Sequence, residues 1–295
     1  MPLAVFSQGR GPTRLGKVFA DSLVDLSVAE PSLPATVVEF LKAGPAALLS
    51  FDAIREDGPG RLPLSGLTLH APVPNPEKFL AIGMNYKDHA TEAKALGVDV
   101  PAWQVWFNKQ VSCINGPFDP VVLPAVSEKL DYEAELAVVI GRACRNVPAA
   151  EARSVVGGYM VGNDISARDW QLRTGTMTLG KSFDTHGPIG PWLTLDHEIE
   201  DPHGLRLRTL VNGEERQSGH TGEMVHDIFA QIAYLSQVMT LKPGDILLTG
   251  TPAGVGVARK PPIFLKDGDV VRIEIERLGH LENRIVAERR SAVAA

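Results

Sequence analysis

Asp131-Tyr132-Glu133-Ala134-Glu135-Leu136-Ala137-Val138-Val139-Ile140 decides how this chain is read. The second half, Leu136–Ile140, is an apolar, β-branched run of strand length. Side chains two apart on a strand share a face, so Glu133 and Glu135 project together. Two carboxylates on one face repel, and burying them is costly unless a cation lies between them. Their hard oxygens suit Mg²⁺, Mn²⁺ or Ca²⁺ better than zinc. A solvated polar face on an edge strand is the plainer alternative, and this segment alone leaves it open. Asp164, in Gly162-Asn163-Asp164-Ile165-Ser166-Ala167-Arg168-Asp169, follows a short apolar strand and offers a third oxygen ligand or, equally, a helix N-cap.

Outward from this strand, further segments read as sheet: Arg14–Phe19, Leu23–Leu26, Lys78–Gly83, Gly158–Gly162, Ile246–Thr249 and Val270–Glu276. In the last of these, Val271, Ile273 and Ile275 alternate with charged residues. The turns Lys242-Pro243-Gly244-Asp245 and Lys266-Asp267-Gly268-Asp269 feed two of these strands. Helical spacing of Val225, Ile228, Phe229, Ile232 and Leu235 predicts a helix over Met224–Gln237, and a shorter one is expected over Ala35–Lys42. There is no regular βαβα alternation, so the expected class is α+β and strand-dominated. Residues 1–70 read as a small N-terminal α/β module, 71–77 as a Pro-rich linker, and 78–290 as a second, strand-dominated domain.

The 295 residues carry a net charge of −6, with 44% hydrophobic and 22% charged residues. No basic stripe is available for nucleic acid, and no apolar run approaches the roughly 20 residues of a membrane span. The first residues lack the pattern of a signal peptide. Cys113 and Cys144 form neither a disulfide framework nor a zinc site, and read as small buried hydrophobes in a reducing cytoplasm.

Asn85–Gly97 reads as a short helix, with Asp88 as its cap and Gly97 as its end. His89 and Glu92, three apart, share a face. A carboxylate beside an imidazole fixes its tautomer and raises its basicity, as a general base requires. So short a helix is marginal alone and suits a lid that orders over substrate; an incidental surface pair is the alternative. Gly180–Pro191 is a loop carrying Lys181, either an oxyanion or carboxylate partner or a surface lysine. Thr249–Gly256 is a Gly-rich turn after a strand. It is neither a Walker loop nor a dinucleotide fingerprint, and its amides and the Thr251 hydroxyl could cradle a carboxylate. The aromatic stretch Trp103–Phe107 is either pocket lining or core.

Taken in order, Asn-Tyr-x-x-His-x-x-Glu at 85–92, Tyr-Glu-x-Glu-Leu at 132–136, Asn-Asp-x-Ser-Ala-Arg-Asp at 163–169, Gly-Lys-Ser-Phe-Asp at 180–184 and Gly-Asp-Ile-Leu-Leu-Thr-Gly-Thr-Pro at 244–252 resemble the fumarylacetoacetate hydrolase superfamily. The likeness covers residues 78–287, and the preceding module resembles the N-terminal extension of some bacterial acylpyruvate hydrolase or 2-hydroxyhepta-2,4-diene-1,7-dioate isomerase-like members. It implies a mixed β-roll and a divalent ion, Mg²⁺ with Mn²⁺ or Ca²⁺ as alternatives, held by Glu133, Glu135 and Asp164. It implies catalytic His89, Glu92 and Lys181, with Tyr86, Lys109, Arg168, Gln171 and Thr251 binding a small 2-oxo acid. It also implies a homodimer, an expectation that a purely monomeric sedimentation profile at micromolar concentration would refute. His186 stands where members often carry an apolar residue. The reaction expected first is hydrolysis of a carbon–carbon bond in an acylpyruvate, His89 activating water and Lys181 stabilising the oxyanion. Oxaloacetate decarboxylation, or isomerisation of an unsaturated 2-oxo diacid, at the same centre is the alternative. A non-catalytic metal- or carboxylate-binding protein is a remoter one.

Overall fold

The computed structural model describes residues 1–95, 97 and 102–289. The acid-bearing segment becomes a strand over Ala134–Ile140, and every residue of that strand is buried. It has neighbours on both edges, pairing antiparallel with Val156–Asn163 on one side and Ile246–Leu248 on the other. This is the interior of a sheet, so the edge-strand alternative falls. An apolar run buried on both faces has no alternation to show, which is why Leu136–Ile140 reads as a continuous hydrophobic block.

From Ile246–Leu248 the sheet continues, in parallel, to Phe79–Gly83 and then to Val105–Asn108. In the other direction Val156–Asn163 pairs with Gly187–Leu195, which meets Leu3–Gln8 at Leu3↔Leu193. Beyond lie Arg14–Val18, Ser22–Asp25 and Arg61–Pro63, while Leu67–His70 also pairs with Leu3–Gln8. Strands from before and after the Pro-rich segment therefore share one sheet. They also share a core, in which Leu3, Phe40 and Phe51 pack with Phe79, Ala137, Ile189 and Ile246. A second sheet, in the order Glu214–His220, Arg206–Val211, Val270–Ile275, Gly279–Ala287 and Val121–Leu123, packs across the other face. Parallel and antiparallel pairs coexist, and the fold is strand-dominated α+β.

Turn chemistry sets the strand entries. The buried Asp245 carboxylate accepts from the Lys78 and Lys242 amides at 3.0 and 2.8 Å and from Lys78 Nζ at 3.0 Å. It thereby joins the starts of two parallel neighbours. Asp269 likewise accepts from the Lys266 amide at 2.8 Å ahead of Val270–Ile275. The expected Ala35–Lys42 helix is Val37–Ala43, capped by the Thr36 hydroxyl on the Glu39 amide. A further helix, Pro45–Ala53, follows directly, with Pro45 in its first turn.

Three expectations are corrected. The Met224–Gln237 helix starts only at Ile228, because Asp227 caps it on the Ala230 amide; Met224 instead bridges Tyr86. Asp88 is not the cap of the short helix, which spans Lys87–Ala95, but lies in its first turn. The Gly180–Pro191 loop becomes strand from Gly187 onward, its prolines having hidden that reading.

Candidate active site

The strand end at Ala134, the strand end at Asn163 and the turn after Leu248 converge on one cavity of about 600 Å³. Register explains the convergence: Glu135 pairs with Gly162, and the Asp164 amide donates to the Glu133 carbonyl at 3.0 Å. Carboxylate oxygens of Glu133, Glu135 and Asp164 lie within 4.8 Å of one another, and all three residues are buried. Asp164 is thus no helix cap.

Cations hold two of the three acids. Lys181 Nζ donates to Glu133 at 2.8 Å and to Asp164 at 2.7 Å. Lys109 Nζ donates to Asp164 at 2.7 Å and to the Lys181 carbonyl. Arg168 pairs with Glu133 at 2.6 Å and with Asp131 at 2.9 Å. Burial disfavours the Glu133 carboxylate, but Arg168 and Lys181 outweigh it and hold the group far below the carboxylate range. Burial likewise disfavours the Lys109 ammonium, yet Asp164 leaves it above the ordinary lysine range. Lys181 is 1% exposed, so the surface-lysine alternative falls.

Glu135 stands apart. Its hydrogen bond is to a backbone amide, that of Gly250, at 2.5 Å. Burial first, then Asp164 and Glu133, push its carboxyl well above the usual range. Gly250 has φ +97°, and a Cβ there would lie 2.7 Å from Asn85 Cβ, so glycine is required where the amide turns toward Glu135. A divalent ion fits this set. It would take three hard oxygens at a spacing one ion can bridge, and would neutralise the one acid that no side-chain cation pairs with.

Over the acids lies the Lys87–Ala95 helix. His89 Nδ1 is 3.2 Å from Glu92 Oε2, an acceptor only, so Nδ1 carries the proton of that bond and Nε2 remains the ring's other nitrogen. The helix is fastened to the turn after Thr251: the Ala253 amide donates to Asp88 at 3.1 Å and the Gly254 amide to Glu92 at 3.0 Å. Asn85 seats the base of the helix, donating to the Thr249 and His226 carbonyls and accepting from the His226 amide.

His89, Glu92, Glu133, Glu135, Arg168, Gln171, Lys181 and Thr251 all line the cavity. Gln171 accepts from Arg168 Nη1 at 3.0 Å. Tyr86 and Lys109 lie behind its wall. The Tyr86 hydroxyl is buried without a hydrogen-bond partner among the described residues, and burial, with Glu135 nearby, pushes it well above the phenol range. From Trp103–Phe107 only Phe107 reaches the lining, while Trp103 is exposed. His186 does not line the cavity. It is fully buried, its Nε2 donating to the Val122 carbonyl at 2.9 Å beside Phe183.

Two buried residues escaped the sequence reading. Asp131 accepts from Arg168 and from the Gly256 and Val257 amides at 2.7 and 3.0 Å, tying the guanidinium to the turn that closes the cavity. Gln217 lies in a strand of polar residues and is the one fully buried member of it. A buried position in a polar strand leaves no mark on composition.

Comparison with known proteins follows the same lines. The model of the fumarylacetoacetate (FAA) hydrolase C-terminal family matches residues 78–286. Oxaloacetate tautomerase fahd2, mitochondrial, of Xenopus laevis is 45% identical over 291 residues, covering 97% of this chain and 90% of that protein. Oxaloacetate tautomerase FAHD2A, mitochondrial, of Bos taurus is 47% identical over 266 residues, covering 90% and 84%. Among solved structures, a putative HpcE protein from Mycobacterium smegmatis aligns with TM-score 0.88 at 36% identity over 98% of this chain and 100% of that one. Maleylpyruvate hydrolase from Sphingobium sp. SYK-6, in complex with manganese(II) and pyruvate, aligns with TM-score 0.82 at 35% identity over the same shares. Bacterial enzymes thus share the architecture, while these two sequence relatives are animal proteins. A buried triad of carboxylates beneath a His–Glu helix and a family match over the same residues lead to one conclusion: the chain belongs to the fumarylacetoacetate hydrolase family.

Proposed function

We propose that this protein is a tautomerase of a 2-oxo diacid of the oxaloacetate type, dependent on a divalent ion held by Glu133, Glu135 and Asp164. The observation that carries this reading is the 45–47% identity to proteins named oxaloacetate tautomerases, over 84–90% of their length. The site contains what such a reaction needs: an anion anchor and one group that moves a proton. On this reading hydrolysis, the reaction expected first from sequence, comes second.

Enol-to-keto conversion moves one proton from the 2-hydroxyl oxygen to C3 while the double bond shifts from C2–C3 to C2–O; no other σ bond to carbon forms or breaks. A bound divalent ion would supply charge stabilisation for the substrate's carboxylate and 2-oxo oxygen. The rest falls to side chains. Thr251 and Arg168 bind substrate oxygens, and the buried Lys181 ammonium adds positive charge beside the oxygen that becomes anionic. Glu92 holds the His89 ring through Nδ1, and Nε2 takes the proton that leaves the 2-hydroxyl oxygen and delivers it to C3. Phe107, Val255 and Val257 line the remaining wall and limit water around the anion. The substrate partner is thus a small 2-oxo acid; the homodimer stands as part of the same proposal. Free, buried Cys113 and Cys144 suit a reducing compartment, which the cytoplasm and the mitochondrial matrix both provide.

The test is a substrate panel with Mg²⁺ or Mn²⁺ and EDTA controls: enol-oxaloacetate followed by ultraviolet absorbance, oxaloacetate followed for carbon dioxide, and maleylpyruvate and a simple acylpyruvate followed for pyruvate. Metal-dependent loss of the enol without pyruvate release is expected. Pyruvate plus a carboxylic acid as products would replace this reading with hydrolysis, which the likeness to maleylpyruvate hydrolase favours. Carbon dioxide release at the rate of enol loss would replace it with decarboxylation.

A further inference from the structure

We infer that Gln217 is a positioning residue that turns the Thr251 hydroxyl into an obligatory hydrogen-bond donor toward an anionic substrate oxygen. The inference rests on the cavity being the substrate site. Gln217 lies in the Glu214–His220 strand and is 1% exposed. Its amide meets four partners. Oε1 accepts from the Ala134 amide at 3.1 Å and from the Thr209 hydroxyl at 2.8 Å. Nε2 donates to the Pro252 carbonyl at 2.8 Å and to Thr251 Oγ1 at 2.8 Å.

The two ends of an amide are alike in shape, so their assignment has to come from the partners. Here it is determined twice over. A backbone N–H can only donate, so the end facing Ala134 is the oxygen. A backbone carbonyl can only accept, so the end facing Pro252 is the nitrogen. The nitrogen's second proton then goes to Thr251, whose Oγ1 must accept. A hydroxyl that accepts from a fixed donor keeps its own proton for another partner. Thr251 lines the cavity beside Glu133, Glu135 and Lys181, and among the described residues no other hydrogen bond engages its hydroxyl. The free proton is therefore available to a ligand oxygen.

Two consequences follow. Thr251 favours a ligand that presents an acceptor, such as a carboxylate or an enolate oxygen, over one that presents an N–H or O–H at that point. And because Gln217 also holds the Ala134 amide, it couples the acid-bearing strand to the Thr251 turn. The ligand donor and the carboxylate cluster are therefore held in register by one side chain.

The experiment is a double-mutant cycle read by calorimetric binding of oxalate to the Mg²⁺-loaded protein. In Gln217→Glu, one carboxylate oxygen keeps the Ala134 and Thr209 bonds. The other carries at most one hydrogen, which the Pro252 carbonyl takes, and accepts from Thr251, so the Thr251 proton turns away from the cavity. We expect Gln217→Glu and Thr251→Val each to weaken oxalate by about 5- to 10-fold, the net value of one such hydrogen bond. The double variant is expected within about twofold of Thr251→Val alone. Equal, additive losses in both backgrounds would overturn the inference, since Gln217 would then act other than through Thr251, as would unchanged binding in Gln217→Glu. If Gln217→Glu does not fold by its melting transition, Gln217→Met takes its place in the cycle with the same two criteria. Wild-type protein that ignores oxalate, or binds it no better than Glu135→Gln, would overturn the site reading and this inference with it.

Discussion

At the scale of single residues, the site divides its charges unequally. Glu133 and Asp164 are matched by lysine and arginine, whereas Glu135 faces only a backbone amide. His89 and Glu92 form the one imidazole–carboxylate pair in the cavity lining. If they move the proton, His89→Ala and Glu92→Ala each lose at least about 10² in turnover while their melting temperatures stay near that of the wild type. Steady-state enol loss with bound metal checks this, and near-normal turnover in both would remove the dyad from the chemistry. Glu133 with Glu135 and His89 with Glu92 stood out as local patterns, Glu-x-Glu before an apolar run and His-x-x-Glu on a helix, but each left a plainer alternative open, and only the family resemblance joined them with Asp164. The pairing of Glu133 and Asp164 with buried cations was not legible. Lys109 and Asp164 are 55 positions apart, Lys181 and Glu133 48 apart, and nothing local marks a lysine for burial. Gln217 had no signal at all, because its importance lies in four partners drawn from two other strands and a turn.

At the scale of elements, the Lys87–Ala95 helix is held by acceptors on its own side chains and donors on the Ala253–Gly254 turn. Gly254 has φ +104°, a conformation that aims its amide at Glu92 and that side-chain-bearing residues rarely adopt. Asp88→Ala removes one of these two fastenings without touching the dyad. Amide hydrogen exchange over Lys87–Ala95 is expected to quicken by about 3- to 10-fold, with KM rising and kcat changing little. Exchange identical to wild type would mean that packing alone keeps the helix down. Helix ends were the least readable elements. Asp227, not the apolar period, decides where the Ile228–Val238 helix begins, since a capping carboxylate ends the pattern more sharply than hydrophobicity does. The Gly187–Leu195 strand was hidden by its two prolines, which leave the strand direction intact but remove its usual residue signature.

At the scale of the whole molecule, stability acquires a pH dependence from a residue outside the site. His186 is fully buried and its Nδ1 has no partner among the described residues. Burial pushes its pKa down to about 3, so the folded protein holds the ring neutral. In the unfolded chain the ring titrates near the usual value of about 6.5. Between these two values the unfolded state binds the extra proton, so stability rises with pH across that window. His186 thus contributes nothing unfavourable above about pH 6.5 and progressively destabilises the fold as the pH falls toward 3. The apolar His186→Leu is expected to flatten the fall in melting temperature between pH 6.5 and 4. An unchanged slope would assign the acid sensitivity to the paired carboxylates instead.

The seam between Leu3 and Leu193 has a further consequence. Leu3–Gln8 finds this partner about 190 positions further along the chain. Its pairings with Arg14–Val18 and Leu67–His70 close shorter loops, whereas the contact with Gly187–Leu195 closes a much longer one, at a larger cost in chain entropy. Joining residues 1–70 to the rest of the sheet therefore rests on the pairing that closes the longer loop, the slower kind of contact to form.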